Sequence, residues 1–326
     1  MSLTPILFSQ VPALDTVSGK LSGFVDSAAW PSSSSQSKDQ VKQVLGTKIV
    51  PYLKSRFTVN VQSKPTSLPS ATPDLLSAWA QVTTVLAAAL PLESLFPIVD
   101  MWRLAMLDPE VGSWCSTKDD PITLLLSKTS ADKTPRPYLL TLLRLLSNGF
   151  SSNALAERCI VKDRNTVTAL LVPTLLHEDS AVRTAAASLS FNIAAFLQQT
   201  RIERIKNNGL GTEYEDEDWE VEMVSAIVEA IGREKENEEV GLYTCFEFRM
   251  TWLTSTPVHR LAASLGCFLR LSPYHGVDTQ ILPLLEVLQA RQTLITKLEA
   301  GGCGENGVVK KEVRKLVEEV ALKLCP

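Results

Sequence analysis

Three helical segments begin 44 residues apart and decide the predicted fold: Pro91–Leu107 (PLESLFPIVDMWRLAML), Pro135–Phe150 (PRPYLLTLLRLLSNGF) and Asp179–Leu197 (DSAVRTAAASLSFNIAAFL). Each segment joins a helix-start residue to apolar residues at helical spacing. A fourth segment, TPVHRLAASLGCFLRL from Thr256, comes later than this interval, as an insertion at residues 207–218 would explain. A period of ~40 to 47 residues is typical of armadillo and HEAT repeats. We therefore predict an all-α, armadillo/HEAT-like α-solenoid with irregular repeats of ~44 residues.

Composition supports this class and argues against nucleic-acid binding. The chain has 326 residues, of which 45% are hydrophobic, so it can bury a sizeable core. Only 15 glycines and 6% aromatic residues are present, which is few for a sandwich or barrel of short strands. The net charge of -4 provides no basic field for a polyphosphate, so we expect no nucleic-acid partner.

Two irregular stretches divide the first quarter of the chain. Residues 32–37 form a Ser-rich loop, and Ser63–Pro73 (SKPTSLPSATP) is a linker with three prolines. We predict a helix near Pro12–Val25, before the first stretch, and another near Asp39–Phe57, between the two. The predicted organisation is a helical lead-in with linkers over residues 1–72 and armadillo-like repeats over 73–326, together forming one domain over about 8–324.

No membrane or export segment is predicted. The uncharged run Leu75–Leu92 is interrupted by serine, threonine, glutamine and proline, and we interpret it as a buried helix. Met1–Val17 contains no Lys or Arg and no long apolar stretch, so it does not resemble a signal peptide. We expect a monomeric protein of the cytosol and nucleus.

Cysteine chemistry has little support in the sequence. Six cysteines occur without a C-x-x-C pair, and only three histidines accompany them, so we expect no metal and no cofactor. Buried, reduced thiols are the favoured interpretation. A Cys/His nucleophile pair stays open, because such residues are adjacent in space rather than in sequence and Cys303 lies in a glycine-rich loop. No phosphate-binding, hydrolase or metalloprotease motif is present in the sequence.

Polar residues recur at equivalent places in the repeats. Arg103 falls 12 residues after its repeat start, and Asn148 and Asn192 fall 13 after theirs. Arg144 precedes Asn148 by four residues and so shares its helical face, and Arg260 lies in the fourth segment. An Asn amide pairs with an extended peptide main chain, and Arg pairs with carboxylates. We therefore predict a groove for an extended acidic peptide, its C-terminal carboxylate included.

Structural roles are open for the same residue types. Arg in stacked helices often pairs with a carboxylate of a neighbouring repeat, which we favour for Arg183, and we favour a packing role for Trp102. The acidic stretch over residues 207–218 and the cluster Glu234–Glu239 are predicted to be solvated loops. The first of these loops could compete for the groove as an internal decoy.

Four of these stretches also carry a resemblance to a known family. The sequence resembles the PUL domain, the C-terminal module of phospholipase A2-activating protein and its fungal ubiquitin-pathway relatives. The matching stretches are Leu95–Val111 (LFPIVDMWRLAMLDPEV), Leu139–Phe150 (LLTLLRLLSNGF), Ser188–Ala194 (SLSFNIA) and Val258–Gly266 (VHRLAASLG).

The resemblance implies an armadillo-like stack and a non-enzymatic adaptor in ubiquitin-dependent protein turnover. Its basic concave groove is expected to bind the C-terminal tail of the AAA ATPase valosin-containing protein, the cell division cycle 48 unfoldase. By motif position the tail contacts are Arg103, Arg144, Asn148, Asn192 and Arg260. Two other functions stay open: a Cys-dependent isopeptidase or hydrolase on ubiquitin-like conjugates, and a general peptide-binding scaffold.

Overall fold

A computed structural model describes residues 3–58, 70–117, 121–129, 133–207, 216–235, 256–276 and 278–326. Within these ranges the chain is built from helices and contains no β-strand, which confirms the all-α solenoid class. A π-helical turn, Leu45–Ile49, joins α2 to α3, and a 3-10 turn, Leu92–Ser94, precedes α5. The α-helices are α1 Leu14–Ser27, α2 Lys38–Val44, α3 Val50–Phe57, α4 Pro73–Ala89, α5 Phe96–Ala105, α6 Pro109–Thr117, α7 Pro121–Ser127, α8 Arg136–Gly149, α9 Asn153–Val161, α10 Arg164–Leu175, α11 Ser180–Lys206, α12 Glu217–Arg233, α13 Pro257–Leu269, α14 Ile281–Val287, α15 Ala290–Thr296 and α16 Lys311–Lys323.

The described chain divides into two compact units. The N-terminal unit comprises Leu7–Val167, and the C-terminal unit comprises Met1–Ile6 with Thr168–Pro326. In the first, α5 packs on α8, and in the second, α11 packs on α13. The organisation expected from the sequence, with a lead-in that ends at residue 72, stays a prediction.

The predicted starts at Pro135, Asp179 and Thr256 are α-helix starts in the structure, whereas Pro91 precedes the 3-10 turn and α5 begins five residues later, at Phe96. Pro135 is the N-cap of α8, and the Asp179 carboxylate accepts a hydrogen bond from the Val182 N–H at 3.1 Å at the start of α11. Thr256 caps α13 in the same way. These side chains satisfy main-chain N–H groups that the first turn of a helix leaves without a partner.

The lead-in helices are also confirmed, and a buried polar contact attaches α3 to the repeats. The Tyr52 hydroxyl donates to Asp108 Oδ2 at 2.7 Å, and Arg56 Nε lies 2.9 Å from the same oxygen. The Asp108 side chain has no exposed surface. The Tyr52 ring also packs edge-on against Trp79 of α4 at 6.4 Å, and Trp79 stacks on Trp102 of α5 with ring centroids 4.2 Å apart, so aromatic contacts accompany the polar one.

One helix of the C-terminal unit, α11, is long and apolar enough to cross a membrane. Its apolar window is 72% buried inside the protein, as in the core helix of a soluble domain. Alanines fill much of the buried face and let α13 approach closely. Arg201 of α11 also pairs with Glu220 of α12 at 2.5 Å, and both side chains are buried.

Parts of three sequence predictions lie outside the described residues: the linker over 59–69, the acidic loop over 208–215 and the cluster over 236–239. The end of the predicted acidic loop is different from expectation. Glu217 and Asp218 belong to α12, and Asp216 caps this helix by accepting from the Trp219 N–H at 3.1 Å. Carboxylates at a helix N-terminus are stabilised there by the helix dipole, which explains their concentration at this point.

Candidate functional site

The last turn of α8 carries the central residue of the candidate site. Leucines bury one face of this helix, and Asn148 follows them on the buried side, where it has no exposed surface. A buried amide must find hydrogen-bond partners inside the protein. Asn148 Nδ2 donates to the Arg103 carbonyl of α5 at 2.8 Å, so the amide is fixed by the neighbouring repeat.

Asn148 also forms hydrogen bonds with the main chain of Phe8. Phe8 lies in the N-terminal segment, residues 3–12, which contains no helix. The Phe8 N–H donates to Asn148 Oδ1 at 2.6 Å, and Asn148 Nδ2 donates to the Phe8 carbonyl at 3.1 Å. One side chain thus pairs with both main-chain groups of one residue, as a neighbouring β-strand would.

Arg103 of α5 holds the same stretch of main chain from a second direction. Its Nη1 donates to the Phe8 carbonyl, and its Nη2 donates to the Gln10 carbonyl at 2.9 Å. The third guanidinium nitrogen, Nε, donates to Asp100 at 2.6 Å, one helical turn away. Arg103 is only 4% exposed, so its charge needs a partner inside the protein. Asp100 supplies that partner, and the other guanidinium nitrogens bond to main-chain carbonyls.

Arg144 lies beside this contact and has a different environment. Its guanidinium carbon lies 5.4 Å from the centroid of the Phe8 ring, a cation–π distance. Arg144 Nε is buried and finds no hydrogen-bond acceptor among the residues that the structure describes. Burial, together with the nearby charges of Arg103 and Arg136, lowers the pKa of Arg144. An added anion would be stabilised here, because Asp100, the acidic group that acts on this site, already pairs with Arg103.

We call these three side chains, Arg103, Arg144 and Asn148, the Phe8 cradle. All of them belong to the N-terminal unit and were singled out by their spacing in the sequence. Their assignment as contacts of a bound tail stays a prediction. What the structure places against them is a peptide main chain that belongs to the same chain.

The C-terminal unit contains one contact of the same type. Asn192 of α11 accepts from the Ile6 N–H at 2.7 Å through Oδ1 and donates to the Ile6 carbonyl at 2.9 Å through Nδ2. Asn192 is 1% exposed, and Ile6 is 4% exposed. The amide at this repeat position therefore also binds a peptide main chain by two hydrogen bonds.

Arg260, the last of the predicted site residues, joins two helices of its own unit. Its Nη1 donates to the Thr184 carbonyl at 3.2 Å and to Ser188 Oγ at 2.5 Å, both on α11. It is 5% exposed, and burial lowers its pKa to about 10. These contacts give Arg260 a structural role between α13 and α11, while its contact with a tail stays a prediction.

Two further residues have the structural roles that the sequence favoured. Arg183 Nε pairs with the Glu234 carboxylate at 2.9 Å, which agrees with the structural role favoured for this arginine. Glu234 is 3% exposed, so the prediction that its acidic cluster is a solvated loop is wrong at this residue. Trp102 has no exposed surface and donates through its indole N–H to Thr83 at 2.9 Å. Both residues therefore stabilise the helix stack.

Four of the five described cysteines have a thiol whose pKa is raised, and the fifth, Cys115, is buried. Burial raises the pKa of Cys159 and Cys267 to about 12 and that of Cys325 to about 11. Cys303 was expected in an open glycine loop, but its side chain is fully buried, and burial raises its pKa as well. A thiol with a raised pKa contains little thiolate near pH 7. Cys245 lies outside the described residues.

A comparison with protein families identifies the chain. The model of the PUL domain matches residues 2–244, which is most of the sequence. The chain belongs to the PUL domain family. A search of curated proteins finds no match to it. PUL domains are protein-interaction modules, and the matched range of this PUL domain contains the whole Phe8 cradle and Asn192.

The residues that fill the cradle, Phe8 and Gln10, were not among those predicted from the sequence. Residues 3–12 read LTPILFSQVP, with prolines at both ends of the stretch. Pro5 and Pro12 disfavour a helix and push the residues before them toward extended backbone. This signal predicts a non-helical segment with free main-chain groups, although it does not tell which side chains bind them.

Proposed function

We propose that this PUL domain is a non-enzymatic adaptor that binds the C-terminal tail of the AAA ATPase valosin-containing protein in ubiquitin-dependent protein turnover. The proposal includes the cytosol and nucleus as its location. It follows from the family, from the resemblance of four sequence stretches and from the chemistry of the Phe8 cradle. The family itself supports the coarser statement that the protein binds other proteins.

The observation that carries the proposal is the partly buried guanidinium of Arg144, whose hydrogen-bonding groups are not all satisfied. Its guanidinium is partly buried, and one nitrogen finds no acceptor among the described residues. Burial, and then the charges of two other arginines, lowers the pKa of Arg144. A cation in such a site gains from an added carboxylate, because the charge attraction is screened less than at an open surface. An acidic side chain or a terminal carboxylate of a peptide supplies that group.

Arg103 and Asn148 supply the second half of the proposed recognition. They already hold the N–H and carbonyl groups of a non-helical peptide, through bonds of 2.6 to 3.1 Å for Asn148. Main-chain recognition gives affinity without demanding a particular side chain, and Arg144 then adds the preference for acid. Asn192 holds the Ile6 main chain in the same way as Asn148 holds that of Phe8, whereas Arg260 is engaged with α11 and supports the proposal least.

The test is a titration of the full chain with a fluorescent peptide of the ATPase tail. We expect saturable binding in the micromolar range, about -8 kcal/mol, that weakens at high salt. A C-terminally amidated peptide should bind more weakly, because it lacks the terminal charge. No binding of the free-acid peptide at high micromolar concentration would contradict the proposal.

A pair of variants connects the binding to the cradle. Arg144→Met removes the positive charge and keeps an unbranched, though shorter, side chain, so the affinity should fall about tenfold, or ~1.4 kcal/mol. Lys128→Met removes an exposed positive charge from the same unit and should leave the affinity unchanged. Equal losses in both variants would mean that net charge alone attracts the tail.

A further inference from the structure

An acidic residue, Asp100, lies among the cationic residues of the Phe8 cradle. It belongs to α5, one helical turn before Arg103, and its side chain is 18% exposed. Asp100 Oδ1 accepts a hydrogen bond from Arg103 Nε at 2.6 Å. Burial lowers the pKa of Arg144, and the charge of Asp100 acts against this lowering. One carboxylate therefore acts on both arginines of the cradle.

The two arginines of the cradle differ in the nitrogens that they offer to a ligand. All three nitrogens of the Arg103 guanidinium donate within the protein, Nε to Asp100 and the other two to main-chain carbonyls. Arg144 Nε is buried and has no acceptor among the residues that the structure describes. A bound carboxylate therefore finds an unsatisfied donor at Arg144, whereas at Arg103 it finds donors that are already engaged.

A second carboxylate of the same peptide would meet the charge of Asp100. The two arginines are neighbours, because Arg103 donates to the Phe8 carbonyl and the Arg144 guanidinium lies 5.4 Å from the centroid of the Phe8 ring. A carboxylate that approaches Arg103 is repelled by Asp100, and it would have to replace a charge-assisted hydrogen bond. The contacts of the Phe8 main chain stay in place in this arrangement.

We propose that Asp100 is a specificity-determining residue that restricts the Phe8 cradle to one carboxylate of a bound peptide. Its carboxylate occupies Arg103 Nε, and its charge weakens the attraction of the cradle for each further negative group. The affinity for an acidic peptide then depends on one acid placed at Arg144 rather than on the total charge of the peptide. This inference rests on the proposed function in so far as the tail supplies that acid.

The experiment uses the full chain with a matched pair of substitutions. Asp100→Asn keeps the size of the side chain and an oxygen acceptor but removes the charge, and Asp39→Asn removes an exposed carboxylate of α2 in the same unit. We expect Asp100→Asn to bind the free-acid tail peptide about three- to tenfold more tightly than the wild type, because a repulsive charge beside the ligand is removed. Asp39→Asn should bind as the wild type does. A thermal unfolding scan verifies that both variants are folded.

The amidated tail peptide, which carries one negative charge fewer, measures the restriction itself. The ratio of the free-acid affinity to the amidated affinity should be at least about threefold larger in Asp100→Asn than in the wild type, because the variant gains from a second carboxylate. A purely structural role of Asp100 would change the affinity for both peptides by the same factor. An unchanged ratio, or weaker binding of both peptides, would overturn the specificity role and leave the proposed function standing.

Sodium acetate is a probe that does not depend on the tail. In nuclear magnetic resonance spectra of the unmodified protein, acetate should shift the Arg144 Nε–H signal and leave the Arg103 Nε–H signal in place, because Asp100 holds the latter group. In Asp100→Asn both signals should shift, since a neutral acceptor holds Arg103 less strongly. The variant Arg144→Met lacks the first signal and so assigns it.

The acetate titration separates the two claims. If the tail peptide binds none of the proteins but acetate gives the expected pattern, the role of Asp100 is supported and the proposed partner is wrong. A response of both signals, or of neither, in the unmodified protein would overturn the restriction to one carboxylate. If in addition the tail peptide binds none of the proteins, the proposed function is overturned as well.

Discussion

Arginines on the repeat helices of the two units have different kinds of partner. In the N-terminal unit Arg103 and Arg144 contact Phe8 of a non-helical segment. In the C-terminal unit Arg260 bonds to Ser188 of α11, and Arg201 pairs with Glu220 of α12. The role of each of these arginines therefore follows from whether a helix or a peptide segment lies opposite it.

The largest expected effect sharpens the structural side of this comparison. Arg201 and Glu220 are both buried, and Arg201 also donates to the Phe268 carbonyl at 2.7 Å. Arg201→Ala leaves a buried carboxylate without its cation, and we expect the free energy of unfolding to fall by about 3–5 kcal/mol. Chemical denaturation measures it, with Lys206→Ala, an exposed residue of the same helix, as the control. Equal stability of both variants would remove the structural role.

A second prediction concerns acid sensitivity of the C-terminal unit. Burial lowers the pKa of His259 to about 4, with help from the charges of Arg260 and Lys310. The unfolded chain therefore binds a proton between about pH 6.5 and 4 that the folded chain does not, so stability falls as the pH falls through this window.

We expect His259 to account for ~1–3 kcal/mol of this acid loss, because the ring is buried only in part. Unfolding curves at pH 7 and pH 4.5 for wild type and His259→Gln measure it. The variant should lose less stability on acidification than the wild type does. The same loss in both proteins would show that other groups control the acid response.

A smaller loss of stability is expected at Tyr52, which stabilises the N-terminal unit outside the Phe8 cradle. The Tyr52 hydroxyl donates to the buried Asp108 at 2.7 Å, and burial followed by this bond raises the pKa of Tyr52. Tyr52→Phe should lower the free energy of unfolding by about 1–2 kcal/mol, because Asp108 keeps Arg56 as a partner. Tail affinity should not change. A loss of affinity at full stability would connect this contact to the cradle.

Sequence patterns predicted the helices well because their signals are local. Asp179 and Thr256 begin helices by side-chain capping that the sequence shows directly, and Pro135 precedes α8 without a side-chain cap. The repeat spacing also singled out Asn148 and Asn192, and in the structure each amide forms two hydrogen bonds with a peptide main chain.

The roles of other residues depend on contacts that no local pattern shows. Arg260 is buried because α13 packs on α11, and this packing brings Ser188, 72 residues away, within 2.5 Å of it. The place of Phe8 in the cradle joins residues 140 apart in the chain, Phe8 and Asn148. Periodicity identifies a helix face, whereas the neighbour of that face is decided by tertiary packing.

The most direct measurement compares Arg144→Met with Arg260→Met for both tail affinity and stability. If the Phe8 cradle recognises the tail, we expect Arg144→Met to weaken tail binding about tenfold and to change the free energy of unfolding by less than ~1 kcal/mol. We expect Arg260→Met to lower the free energy of unfolding by about 1.5–3 kcal/mol and to leave tail affinity unchanged, because hydrogen bonds of a buried charge are lost. If Arg260→Met weakens tail binding at unchanged stability while Arg144→Met does not, the assignment of recognition to the Phe8 cradle is wrong.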